Sequence, residues 1–289
     1  AGGVHVLQML NMVEGFDLAA MGFGTAESLH LMAEAMRMAF ADRAVATADP
    51  DFVPVPVARL IAKEYAAERR ALFDPARSRA WAAGLAPDRE SANTTHVTVA
   101  DHEGRIACCT HTINSLFGAR ILLRETGLIP NNYMALFDPV PGRAQSIAAG
   151  KRVTTSMSPL ILRRGGKPIF ALGLPGGLRI FPSTFQAVVN LLDHGMSLQE
   201  AMEAPRIWTN GGPLEMEPAF DETTVAALSA RGHEVLRLPH VAGGMCGIAF
   251  QPDGMMEGAA CWRADGAPAA LSGGWAAPGV RFWPDARRH

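Results

Sequence analysis

Between Thr94 and Asn114 the sequence reads TTHVTVADHEGRIACCTHTIN, two alternating runs on either side of Asp-His-Glu-Gly. Alternation of period two is the mark of a strand with one packed face. Asp101 followed three residues later by Gly104 suits a type I turn whose glycine takes the left-handed conformation in a one-residue bulge. Such a turn pairs Asp101 with Arg105. Counting outward, Thr94 then faces Thr112 across the hairpin, on the same side as His96 and Thr98, with Asn114 one step further on. A one-residue slip would turn every one of these side chains to the other face, so the turn dictates the surface on which two hydroxyls and an amide meet.

The rest of the chain organises around this hairpin. Residues 1–93 read as mostly helical. Thr25 can cap a helix whose apolar positions Leu29, Met32, Ala33, Met36 and Phe40 fall on one stripe. A second helix is expected over Pro56–Phe73. The stretch DPARSRAWAAGLAPDRESAN has little periodicity and reads as an exposed linker ending at Asn93. From Thr94 to residue 289, strands, glycine turns and short helices alternate, which favours a layered arrangement. Phe181–Asp193 should be helical, with Gly195 just past its end. Ser197 and Glu200 form a capping-box pair, and Asp221 caps a helix closed by Gly232. EVLRL then reads as a strand, and GMCGIAFQPDGMMEGAACW as two strands about a Pro-Asp-Gly turn.

Composition excludes several classes. A formal net charge of −2 over 289 residues leaves no electrostatic footprint for nucleic acid or an anionic membrane surface. Every long apolar run is interrupted, so no membrane span is expected. The four cysteines include adjacent Cys108 and Cys109, which would point to opposite faces of a strand. That suits neither a metal knuckle nor a disulfide framework, and the cysteines read as small buried hydrophobes. The nine histidines show no HExxH and no Cys/His pair spacing, so no metal is expected. The chain starts AGGVHVLQML, with neither an initiator methionine nor a signal-like segment, and reads as processed or as a fragment. No address for a compartment is legible.

The Thr94–Thr112 pair has two readings. A threonine pair across strands is an ordinary sheet stabiliser. Alternatively, cleavage between Asn93 and Thr94 would free an α-amine on Thr94. With a reference pKa of about 7.7–8.0, that amine can accept the hydroxyl proton and make Thr94 a nucleophile. Gly176-Gly177 in LGLPGGLR likewise reads either as a tight turn or as two adjacent N–H donors for an oxyanion.

The ordered motifs TTHVTV, THTINSLFG, TGLIPNN, TTSMSP and GLPGGLRI, followed by a helix and EAPRIW, resemble the γ-glutamyltranspeptidase family of N-terminal-nucleophile hydrolases. The resemblance runs from about Gly2 to Arg263. It implies an α+β fold, a four-layer αββα sandwich of two stacked antiparallel sheets flanked by helices. Residues 1–93 would be the end of the large subunit and residues 94–289 the small subunit, both parts of one domain, with the earlier part of the large subunit as the missing partner. By position the resemblance implies Thr94 as nucleophile and Asn93–Thr94 as the autocleavage junction. Thr112 would bond to Thr94, and Asn114 would hold the substrate's α-amino end. Thr155 and Ser156 would bind its carboxylate, and Gly176 and Gly177 would form the oxyanion hole. No cofactor is implied. The substrate would be a small γ-glutamyl or related acyl amide, and the acceptor water or an amine.

Two positions depart from the family pattern. Tyr133 stands where Gln or Glu is usual. Leu136 stands where an acid pairs with the α-ammonium of a γ-glutamyl group. Leucine forfeits a charge-assisted contact of roughly 1.5–3 kcal/mol, about one to two decades of affinity. Asp138 could replace the acid were the loop to shift. One reading therefore keeps γ-glutamyl chemistry. The other keeps the amide chemistry but takes a carboxylated acyl group without an α-amine, as in cephalosporin (glutaryl) acylases and oxamate-type amidohydrolases. The connector FDPVPGRAQSIAAGK is shorter than in family members with a lid, which implies a more open cleft. The arginine that the family places on the carboxylate lies in a segment this sequence does not contain, and Arg152 and Arg179 read equally well as structural ion-pair partners. A catalytically inert scaffold is the reading of another class. The first expected outcome separates it from the rest: intact-mass analysis of the full-length gene product should show scission between Asn93 and Thr94, abolished by Thr94→Ala.

Overall fold

The computed structural model describes residues 1–79, 81 and 94–270. The junction at Asn93 and most of the linker before it therefore lie outside the described residues. In chain order the elements begin with α1 (Gly3–Val13), α2 (Leu18–Met21), α3 (Ala26–Ala46), α4 (Val57–Leu60) and α5 (Lys63–Arg70). The hairpin strands β1 (Thr94–Ala100) and β2 (Ile106–Thr112) follow, then β3 (Leu160–Arg164), β4 (Lys167–Gly173), α6 (Ile180–Leu192) and α7 (Leu198–Glu203). The described chain closes with β5 (Ile207–Trp208), β6 (Leu214–Met216), α8 (Glu222–Ala230), β7 (Val235–Arg237), β8 (Cys246–Phe250) and β9 (Met256–Ala260).

The hairpin has the register that its turn requires: Thr94 faces Thr112, His96 faces Thr110 and Thr98 faces Cys108. Asp101 Oδ1 accepts from Glu103 N and Arg105 N at 3.0 and 2.9 Å, and Gly104 sits at φ 83°. The Thr94/His96/Thr98 face is half-buried, whereas the opposite face is exposed. The inner face packs on the antiparallel sheet β3-β4-β8-β9. There the His96 ring lies against Gly173, where any side chain would overlap the imidazole. Helices α6 and α7 cover the far side of that sheet, and α1 and α3 pack beyond α6. The result is an α+β sandwich, helix on sheet on sheet. Among the described residues no helix covers the outer face of the hairpin, where Val97 and Val99 are exposed. A third, three-stranded sheet, β5-β6-β7, includes a parallel β6/β7 pair that the sequence patterns do not announce.

The caps form as the sequence predicts. Thr25 accepts from Ser28 N, Ser197 and Glu200 make the reciprocal capping box, and Asp221 accepts from Thr224 N. Two expectations need correction, and a third proves incomplete. The helix expected over Pro56–Phe73 breaks into α4 and α5 at Ala62, whose backbone is extended (φ −72°, ψ 141°), and Asn11 Nδ2 donates to the Ile61 carbonyl beside the break at 2.7 Å. The apolar stripe of α3 is buried as expected, and the helix is buried on its polar side too, with Ser28, His30, Glu34, Arg37 and Arg43 inside the protein. Burial of so many polar groups demands partners for each. The cysteines are all free, but only Cys261 is fully buried; Cys109 lies on the bare outer face of the hairpin and is exposed.

Burial lowers the pKa of three imidazoles: His5 and His233 to about 3, and His96 to about 4. In the unfolded chain each takes up a proton near pH 6.5, so between that pH and about 4 the unfolded state binds more protons than the native one. Stability should therefore fall as pH drops below 6.5. Urea midpoints measured from pH 7 to 4 should decline accordingly, and His96→Gln should make the decline shallower.

Candidate active site

The end of β1 and the loop after β2 build a compact polar cluster. Thr94 Oγ1 and Thr112 Oγ1 are 2.8 Å apart. Thr112 Oγ1 also accepts from Asn114 N at 2.8 Å. Asn114 sits at φ 71°, a left-handed conformation that asparagine tolerates better than most residues. Its side chain donates to Asn132 Oδ1 at 2.9 Å, and the same oxygen accepts from Ser115 N at 3.0 Å. Asn132 Nδ2 in turn donates to Ser115 Oγ at 2.8 Å. Asn132 thus clasps the loop in place. It lies within the TGLIPNN motif, but no local pattern assigns it this task. Phe117 and Arg120 also have positive φ, so strained backbone concentrates beside the threonine pair.

Tyr133–Leu136 form one 3-10 turn directly after this clasp. Tyr133 Oη and Thr155 Oγ1 share a hydrogen bond of 2.9 Å. Tyr133 thereby joins the first hydroxyl of the Thr155–Ser156 pair, whereas Ser156 Oγ accepts from Arg43 Nη2 at 3.5 Å. Leu136 is half-buried in the same turn. Asp138, the potential replacement for the missing acid, is committed elsewhere. Its Oδ1 accepts from Val140 N at 2.9 Å and its Oδ2 from Arg143 at 3.1 Å. These contacts, the backbone bond first, hold its carboxyl below the usual range. The connector itself is tied down by Lys151, whose ammonium donates to the carbonyls of Ala144 and Ser146 at 2.7 and 3.0 Å.

Gly176 and Gly177 follow β4 at φ 142° and 56°. A Cβ at Gly176 would approach Ala242 Cβ to 2.6 Å, so both space and backbone conformation call for glycine. Neither N–H donates to a turn or loop carbonyl among the described residues. The strand that carries Thr94 and the strand that leads to Gly176 meet where His96 covers Gly173. His96 is held at both nitrogens, by Thr110 at 2.8 Å and Thr98 at 3.0 Å.

The two arginines near the motifs are structural. Arg179 pairs bidentately with buried Glu215 at 2.7 and 2.6 Å and lies over the Trp208 ring. Arg152 pairs with Asp49 and Asp51. Away from this cluster, His30, Glu34 and His233 offer ligand atoms within 4.8 Å of one another, a group that spacing in the sequence cannot reveal. Its members already serve one another and the core. The two rings share a 2.7 Å hydrogen bond, His30 bonds to the Asp74 carbonyl, and Glu34 accepts from Ser78 and Trp81.

The model of the family described as gamma-glutamyltranspeptidase matches residues 1–271. The chain belongs to the γ-glutamyltranspeptidase family. It is 62% identical over 282 residues to the acylase ACY 1 proenzyme of Pseudomonas sp. (strain SE83), covering 98% of this chain and 50% of that protein. It is 37% identical over 275 residues to the glutathione hydrolase proenzyme of Escherichia coli (strain K12), covering 90% of this chain and 47% of that protein. The crystal structure of cephalosporin acylase from Bacillus halodurans superposes with a TM-score of 0.82 at 28% identity, covering 94% of this chain and 50% of that one. The chain thus spans about half the length of these relatives, and its fold is that of an N-terminal-nucleophile hydrolase.

Within this family member, Thr112 joins Thr94 to the Asn114 loop. Thr112→Val leaves the Asn114 N–H without its acceptor and should cost about 1 kcal/mol of stability, read as a lowered urea midpoint. Thr112→Ser should restore most of it.

Proposed function

We propose that the chain is the nucleophile-bearing half of an autoprocessing amidohydrolase. Its acyl substrate ends in a carboxylate and lacks an α-amine, as a glutaryl amide does. The observation that carries the acyl-group reading is Leu136. It occupies the 3-10 turn beside Tyr133, where the family pattern calls for an acid, and Asp138 is bound within its own turn by Val140 N and Arg143. An ammonium placed against Leu136 would lose water without gaining a counter-ion. A methylene placed there loses nothing. The high identity to a protein named an acylase supports the same choice.

In this reading, scission of the Asn93–Thr94 bond gives Thr94 a free α-amine. The amine takes the Thr94 hydroxyl proton as Oγ1 attacks the amide carbonyl. The carbonyl oxygen becomes an oxyanion received by the N–H groups of Gly176 and Gly177. Collapse breaks the C–N bond, and the leaving amine departs with the proton held on the α-amine. Water then attacks the ester, giving up a proton to the α-amine; the acyl C–Oγ1 bond breaks, the α-ammonium returns that proton to Oγ1, and the dicarboxylic acid leaves with Thr94 restored. Thr112 holds the nucleophile's hydroxyl. Thr155 and Ser156 receive the acyl group's distal carboxylate, and Asn114 lines the acyl chain.

The test compares p-nitroanilides of glutaric acid and of γ-linked glutamate on the processed, full-length gene product. Glutaryl anilide should show the higher kcat/KM. Leu136→Asp should shift the ratio toward the γ-glutamyl substrate by one to two decades, the worth of a charge-assisted contact of roughly 1.5–3 kcal/mol. A wild type that prefers the γ-glutamyl anilide overturns the acyl-group reading. A processed protein that cleaves neither is an inert scaffold.

A further inference from the structure

Arg43 lies in the last turn of α3 with 2% of its surface exposed. A cation so deeply buried ordinarily has its donors spent. Arg179 spends two on Glu215, and Arg263, equally buried, pairs with Glu217 and donates to the carbonyls of Met202 and Ala204. Arg43 differs from both. Its Nη2 makes a long hydrogen bond of 3.5 Å to Ser156 Oγ, while Nε and Nη1 have no hydrogen-bond partner among the described residues. Among the described residues it forms no ion pair with a carboxylate. Burial pushes its pKa down only to about 10, so it remains charged at neutral pH. Its guanidinium also faces the Phe181 ring at 5.6 Å. Nearby His5, held down to about 3 chiefly by burial and then by Arg43, is neutral and brings no second cation.

A buried charge without a counter-ion is costly, and its cost falls when an anion binds within reach. Ser156, the residue Arg43 touches, is half of the hydroxyl pair that the proposed function assigns to the substrate's carboxylate. The other half, Thr155, is bonded to Tyr133. The backbone beneath the pair is also firmly seated. Gly2 N donates to Met157 O at 3.1 Å, and a side chain at Gly2 would overlap the Ser156 carbonyl.

We propose that Arg43 is a positioning residue for the substrate carboxylate, acting through Ser156. It occupies the acceptor side of Ser156 Oγ, which leaves the single Ser156 proton to be donated outward to the carboxylate. Its buried positive charge, one hydroxyl away, supplies the counter-ion. The proposal rests on the acyl-carboxylate reading above, and it applies equally to the α-carboxylate of a γ-glutamyl group.

The experiment uses the full-length gene product, with intact mass as the check on processing. Arg43→Gln and Arg43→Lys are assayed on two anilides of equal length: glutaryl p-nitroanilide, and pentanoyl p-nitroanilide, in which a methyl replaces the carboxylate. Arg43→Gln should raise KM for the glutaryl substrate ten- to a hundredfold with kcat within threefold. It should change kcat/KM for the pentanoyl substrate less than threefold. Arg43→Lys should recover part of the loss. Equal losses on both substrates, or no change on either, overturn the proposal. Should Arg43→Gln fail to process, Arg43→Lys decides: a KM increase of at least threefold confined to the glutaryl substrate supports it, and an equal effect on both overturns it. In a wild type that prefers the γ-glutamyl anilide, a KM increase confined to that substrate supports the proposal, and equal effects on it and on the pentanoyl anilide overturn it. A wild type that cleaves no carboxylated anilide overturns both readings. Variants that match a wild type active on glutaryl anilide overturn this one alone.

Discussion

Two sheets stacked face to face must exclude water between them while satisfying every polar atom they bury. Here that condition is met at one place above all, where the His96 imidazole lies on the bare backbone of Gly173. Glycine gives the ring its room, and Thr110 and Thr98 satisfy both ring nitrogens within the hairpin. The hairpin is thereby seated on the second sheet in one register. Thr94 and Thr112, on the same face as His96, inherit their position from it. The site is an extension of the sandwich's packing rather than a loop laid over it.

The helical side solves the same problem with charge. α3 carries His30, Glu34, Arg37 and Arg43 into the core, and most of their donors and acceptors are matched by distant segments. Around α6 and α7, Arg179–Glu215 and Arg263–Glu217 are buried pairs whose geometry is bidentate or reinforced by carbonyls. Such pairs add little net stability against well-packed apolar side chains, but removing one partner strands the other. They tie the helical layer to a single arrangement. Arg43 is set apart because its matching group is a single serine hydroxyl.

The proposed function divides chemistry and selectivity between two neighbouring clusters. The threonine pair, the Asn132 clasp and the glycine turn form one assembly, built from strand ends and left-handed backbone. The Tyr133–Leu136 turn and the Thr155–Ser156 pair form another, joined by the 2.9 Å bond between Tyr133 and Thr155. In the proposed reading, a change at Leu136 would alter which acyl group is welcome without touching the Thr94 hydroxyl.

Much of this was legible locally. Period-two alternation and an Asp-x-x-Gly turn establish the Thr94–Thr112 register, and Thr25, Ser197 and Asp221 announce their helices, because hairpins and caps are decided by residues a few positions apart. Ordered motifs also bring the family into view. Long-range contacts were beyond that reach. Asn11 bonds to the Ile61 carbonyl, 50 residues away, where the expected helix breaks. Arg43 meets Ser156 across 113 residues, and His30 meets His233 across 203. The alignment of apolar residues on α3 likewise conceals that its polar side is buried too. The sequence by itself determined the hairpin and its register, since those follow from backbone geometry between near neighbours. Only the tertiary structure decided which buried groups find partners, that Asp138 is committed to its own turn, and that Arg43 faces Ser156, since desolvation and pairing depend on what the fold brings together.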